Sequence, residues 1–135
     1  MESVIINYWA VLVATVVYYV LGGLWYSPLL FGKSWMKLVN LTEEDCKKGA
    51  GMAYVVSFIA SFLMAYILAY IIHFAHAITA FRGAETGFWC WLGFVATVTT
   101  ANMMYSKKPF KLHLIDILYP LVGLLIMGAI LGGWK

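Results

Sequence analysis

The sequence predicts an all-α integral membrane protein: a four-helix bundle with an amphipathic interfacial helix between its first and second spans. Three observations carry that prediction. Of the 135 residues 64% are hydrophobic and 11% charged, with a mean hydropathy of +0.87, whereas a soluble domain carries about 25% charged residues. The apolar residues gather into four runs, about 4–25, 52–74, 86–105 and 112–133. At 1.5 Å rise per residue, ~20 residues cross the ~30 Å hydrocarbon layer as a helix. These runs are apolar on every face, while barrel strands alternate in short segments.

The first run is too long for a signal-peptide core, lacks a basic leader at Met1, Glu2 and Ser3, and ends in aromatics where a cleavage site would need small residues. It is expected to remain as a span. Four spans fill the chain, so the expectation is a single transmembrane domain over 1–135 with no soluble module.

Lysine and arginine mark the cytoplasmic side of a membrane protein. Lys33, Lys37, Lys47 and Lys48 follow the first span, and Lys107, Lys108 and Lys111 follow the third; the other side has only Arg82 and Lys135. That asymmetry puts both termini on the extracytoplasmic side; the expected location is the plasma (inner) membrane, crossed several times. It also accounts for the net charge of +3 without nucleic acid. Tyr8, Trp9, Trp89, Trp91 and Trp134 fall at outer span ends and Trp25, Tyr26, Tyr54 and Tyr105 at inner ends, the levels where aromatic belts form.

After the first span comes LWYSPLLFGKSWMK, residues 24–37. Its Gly-Lys-Ser is not a phosphate grip: that loop needs a glycine five positions before Gly32, where Ser27 stands, and a preceding strand. Helix chemistry fits better, with Ser27 as N-cap, Pro28 as first helical residue and a helix over about 28–39. Phe31, Trp35, Leu38 and Val39 share one face; Lys33, Ser34, Lys37 and Asn40 share the other. Such a helix lies in the interface, its lysines toward anionic headgroups on the cytoplasmic side. A second short helix capped by Thr42 is expected to run to about Gly49.

The order Gly22-x-x-Trp25-Tyr26-Ser-Pro-Leu-Leu-Phe31-Gly32-Lys33-x-Trp35-Met36, followed by Leu41-Thr42-Glu43-Glu44, resembles the opening of the small membrane proteins grouped as "domain of unknown function 1761". Trp91-Leu92-Gly93-Phe94, Leu114-Ile115-Asp116-x-x-Tyr119 and the closing run to Trp134 are similar as well. The resemblance implies a four-span membrane protein and no assigned activity.

An ionisable residue inside a span is costly and marks a candidate functional site. Asp116 is the one acidic case, about one turn inside the cytoplasmic end of the fourth span, with Tyr119 and Gly123 on its helix face. Asn102 lies at a similar level on the third span, and Tyr26 and Lys33 lie near the same membrane face. Asp116 therefore serves either as a carboxylate that handles protons, cations or a ligand, or as a pin for the interfacial helix through Tyr26, Trp25 or a lysine. Pro120 loosens the same helix by removing one N–H.

Ala53, Ser57, Ser61, Ala65 and Ala69 form a small-residue ladder on the second span; Gly93, Thr97 and Ala101 do so on the third, and Gly128 and Gly132 on the fourth. Such ladders let membrane helices approach closely, and the surplus points to a homo-oligomer. His73 and His76 are spaced to share a helix face near Glu85, the weak outline of a metal site, but Arg82 opposes a cation there and no metal is expected. Cys46 and Cys90 lie at opposite membrane levels, beyond disulfide reach. No nucleophile–base pair can be assembled, and the sequence calls for no cofactor. The leading functional reading is small-solute or ion transport by a homo-oligomer. The alternatives are an accessory subunit without chemistry of its own and a membrane enzyme acting on a lipophilic substrate.

Overall fold

A computed structural model describes residues 6–27, 30–39, 44, 47, 49–107 and 109–134. Among these residues the regular structure is all helical. Helix α1 (Tyr8–Trp25) starts where the Asn7 side chain accepts a hydrogen bond from the Ala10 N–H, satisfying one of the free donors at a helix start. Its buried residues are Ala10, Val11, Ala14, Thr15 and Tyr18, a single stripe at helical spacing. Thr15 is tolerated there because its hydroxyl donates to Val11 O at 2.7 Å.

Helix α2 (Gly32–Val39) begins later than the sequence predicts. The Ser27 hydroxyl does not cap it but donates back to Leu24 O at 2.7 Å. Ser27 O meanwhile accepts the N–H groups of Leu30 and Gly32, and Trp25 O accepts that of Phe31. The chain thus reverses tightly before the helix starts. Gly32 is needed in that reversal, since a Cβ there would collide with Tyr26 O and the Ser27 carbonyl. The glycine of the Gly-Lys-Ser serves backbone close approach. Pro28, the Thr42-capped helix and Cys46 lie outside the described residues.

Helix α3 (Ala50–Phe74) follows Gly49, whose φ of 70° suits glycine. Only its second half enters the core, through Ser61, Ala65, Leu68, Ala69 and Ile72; residues 51–60 are all exposed. Helix α4 (Ala80–Cys90) is capped by Thr79, whose Oγ1 accepts from the Arg82 N–H. A π-helical turn (Trp91–Ala96) leads into α5 (Thr97–Ser106), with helical dihedrals at both junctions. The helical path from Ala80 to Ser106 is therefore unbroken. Helix α6 (Phe110–Gly133) completes the chain and carries Pro120 in its interior.

The core lies between α1, α3 and α6, where Val11, Ala14, Tyr18, Ala65, Leu68, Ile72, Leu124, Met127 and Leu131 meet. The closest approach is between α4 and α6. A Cβ on Gly83 or Gly128 would strike the backbone of the other, one on Gly87 would strike Leu124 O, and one on Gly132 would meet Thr79 O. Backbones in such contact gain dispersion energy that larger side chains would prevent. Gly128 and Gly132 thus form a seam, with Gly83 and Thr79 as their partners, while Gly87 packs on Leu124. Gly93, Thr97 and Ala101 are exposed, and the wide turn at Trp91–Ala96 separates them in register from the α4 seam. Of the ladder on α3, Ser61, Ala65 and Ala69 are buried while Ala53 and Ser57 are exposed.

Among the described residues three helices are long and apolar enough to cross a membrane: Tyr8–Trp25, Ala50–Phe74 and Phe110–Gly133. Trp9, Val20, Met52, Phe62, Leu63 and Phe94 point outward, an arrangement that water would penalise and lipid does not. Helix length, composition and exposed apolar surface together suggest a helical membrane protein.

Candidate functional site

The α1 end, α2 and the first half of α6 converge on Asp116. Pro120 has no N–H to offer the carbonyl of residue 116 one turn back. The two flanking carbonyls each receive an indole instead: Trp25 Nε1 donates to Ile115 O and Trp91 Nε1 to Ile117 O, both at 2.9 Å. Side chains from two other helical segments thus supply polar contacts where proline weakens the ladder, the condition under which proline persists in membrane helices.

Tyr26, immediately after α1, donates its hydroxyl to Asp116 Oδ1 at 2.9 Å. Burial first, then the neighbouring carboxylate, holds its phenol above the ordinary range, so it remains a donor. Its ring meets Trp35 of α2 and Tyr119 of α6 edge-on, each at 5.7 Å between centroids. Tyr119 donates to Tyr18 O at 2.9 Å and packs edge-on against the Tyr18 ring. Gly22 and Gly123 leave room for these rings: a Cβ at Gly22 would lie 2.6 Å from the Tyr119 hydroxyl, and one at Gly123 would lie 2.8 Å from the Tyr18 ring.

On its other side Asp116 lines a cleft of about 90 Å³ between α5 and α6, together with Thr99, Asn102, Met103, Ser106, Leu112 and His113. Five of its seven lining residues carry a polar side chain. Asp116 and Asn102, paired by level in the sequence, do share this cleft. His113, only 8% exposed, places Nε2 at 3.2 Å from Thr100 Oγ1, while its Nδ1 is buried without a partner among the described residues. A neutral ring that donates Nε2–H to Thr100 leaves only a lone pair at Nδ1, a cheaper orphan than an N–H. The sequence reading missed His113, Thr99 and Ser106. Their signal was spacing: His113 and Asp116 share a face at i, i+3, as do Thr99, Asn102 and Ser106 at i, i+3 and i+7.

Lys33 is exposed on α2 and makes no ion pair with Asp116; among the described residues the ion pair within 4.0 Å is Arg82–Glu85. His73 and His76 do not share a helix face, because α3 ends at Phe74 and His76 adopts a left-handed φ of 53°. The two imidazoles border different clefts, His73 beside Asn7 and Trp134, and His76 beside Arg82 and Glu85. No group of three His, Cys, Asp or Glu side chains placed to hold a metal occurs among the described residues.

A model of the family described as "Protein of unknown function (DUF1761)" matches residues 9–132. No curated protein and no solved structure matches the chain.

Proposed function

Because the chain belongs to the DUF1761 family, whose description assigns no activity, we propose a function from its geometry: a homo-oligomeric four-span protein of the plasma membrane that moves protons or a small inorganic cation through the Asp116 cleft. The carrying observation is the cleft itself, a carboxylate facing Asn102, Thr99, Ser106 and His113 between apolar helices. Ionisable groups at such positions line ion and proton paths. Size narrows the cargo. The cleft holds about 90 Å³, against ~300–1,000 Å³ for sites that enclose organic ligands.

The unbroken helical path from Ala80 to Ser106 supports a fourth crossing and one transmembrane unit. Lys33, Lys37, Lys107 and Lys111 lie toward the Asp116 end of the chain's helices, and Arg82 lies at the other; this supports a cytoplasmic Asp116 end and extracytoplasmic termini. The exposed face of α3 around Ala53 and Ser57 is the surface on which a second copy would close. The α2 helix, with Lys33 and Lys37 exposed beside half-buried Trp35 and Leu38, is read as amphipathic and interfacial against anionic headgroups.

The test is ion flux into proteoliposomes under an imposed potential. Wild type is expected to acidify the lumen at least tenfold faster than protein-free vesicles, and Asp116→Asn to fall to background with its helix content unchanged. Absence of proton, sodium and potassium flux in wild type, or full flux in Asp116→Asn, refutes the proposal. One pair of contacts favours a second reading, an accessory subunit: Tyr26 to Asp116 and Trp25 to Ile115 O tie the end of α1 to α6. On that reading Asp116→Asn costs stability alone, and the protein co-purifies with a stoichiometric partner.

A further inference from the structure

A second cleft lies at the opposite end of the helices, about 450 Å³ in volume, where the end of α3 meets the first turns of α4. We propose that it binds one membrane lipid with a phosphoethanolamine headgroup, the phosphate on Arg82 and the ammonium on Glu85. This rests on the membrane-crossing helices and is independent of the proposed flux at Asp116. Helix α3 has 25 residues, about 37 Å at 1.5 Å per residue, so its ends reach past a ~30 Å hydrocarbon core into the headgroup layer. The lining there is polar and holds one cation and one anion, Arg82 and Glu85, with His76, Thr86 and Trp89. Ile78, Phe81 and Trp89, from the stretch of chain that forms the cleft, are exposed, as suits acyl chains and an interfacial indole.

Charge and geometry select the headgroup. Arg82 Nη1 and Glu85 Oε2 stand 3.9 Å apart, with side chains 68% and 42% exposed. That is the outer limit of an ion pair and not the bidentate fork that would consume the guanidinium donors. The Thr86 hydroxyl is already spent on Arg82 O, leaving the guanidinium, the Trp89 indole and the His76 imidazole as side-chain donors for phosphate. One cation and one anion cancel, so a zwitterion fits better than an anionic lipid, whose net charge would meet Glu85 unopposed. A primary ammonium has three N–H donors for that carboxylate, whereas the trimethylammonium of phosphocholine has none. His76 borders the same cleft; its left-handed φ of 53° closes α3, with the Ala77 N–H donating to Ile72 O and the His76 N–H to His73 O.

The experiment is native mass spectrometry of the delipidated full-length protein titrated with phosphatidylethanolamine, phosphatidylcholine and phosphatidylglycerol of matched chains. The expected result is one phosphatidylethanolamine per chain, bound at least fivefold more tightly than the other two. Arg82→Gln and Glu85→Gln should each reduce it to the phosphatidylcholine level without loss of helix content. Both side chains are exposed, and isosteric Glu85→Gln carries the test alone if Arg82→Gln does not fold. Equal binding of the three lipids, preference for phosphatidylglycerol, or unchanged binding in folded Glu85→Gln overturns the proposal. Displacement of the lipid by equimolar glycerophosphoethanolamine also overturns it, since the site would then take a soluble solute.

Discussion

Tyr26→Phe removes one oxygen and leaves the ring between Trp35 and Tyr119. What is lost is a 2.9 Å hydrogen bond from a hydroxyl to a carboxylate, partly buried and joining residues 90 apart in sequence. Hydrogen bonds to charged groups contribute about 1.5–3 kcal/mol. Asp116 is only half-buried, so water replaces part of the loss, and the expected destabilisation is about 1–2 kcal/mol. Asp116→Ala should cost a similar amount and the double variant little more than either, because both remove the same bond. The cycle should then return a coupling of about 1 kcal/mol. Reversible unfolding in mixed micelles, followed by tryptophan emission, measures these values. A Tyr26→Phe protein within about 0.3 kcal/mol of wild type, with no coupling to Asp116→Ala, would refute the reasoning. The pH dependence has a definite sign. The folded phenol is raised above its ordinary value of 10.0, so its contribution is fully present below pH 10 and is lost as pH rises above it. The gap between wild type and Tyr26→Phe should therefore narrow only in strong alkali.

Gly83→Leu should cost at least about 2 kcal/mol or prevent folding, since its first added carbon already meets Gly128 O. Gly93→Leu, with nothing within 4 Å of a Cβ there, should be near neutral in the same unfolding assay. Trp91→Phe withdraws an indole from Ile117 O beside Pro120 and should cost about 1 kcal/mol, with faster amide exchange around residue 121. Lys107 ends α5 in a left-handed conformation, φ 56°, so Lys107→Gly should stabilise by about 0.5–1 kcal/mol, seen as a higher unfolding midpoint.

Helix positions were legible because run length and hydropathy are averages over some 20 residues and tolerate local error. Contacts were legible only where one residue type has few ways to be satisfied. Asp116 was such a case: a lone carboxylate in a span needs a donor, and Tyr26 was among the few within reach. The small-residue ladders were not, because small size permits close approach without choosing a partner. Gly83 and Gly87 lay before or at the edge of the expected third span, while Ala53 and Ser57 looked like a seam and are exposed. The π turn at Trp91–Ala96 has no composition signature, yet it separates the glycine-packed half of that helix from the half lining the cleft. His113 was overlooked because it stands at the polar edge of its span, where a histidine draws little notice until a neighbouring helix buries it.

Transport through the Asp116 cleft requires that the cleft be aqueous, since protons and small cations travel only where water or ionisable groups reach. With Cys46 and Cys90 replaced by serine, Asn102→Cys reports this through its rate of modification by a membrane-impermeant thiosulfonate in proteoliposomes. An aqueous cleft gives a rate within tenfold of Lys107→Cys at the helix end, and slowing when Ser106→Trp fills the cleft. A rate no faster than that of lipid-facing Phe94→Cys would contradict it.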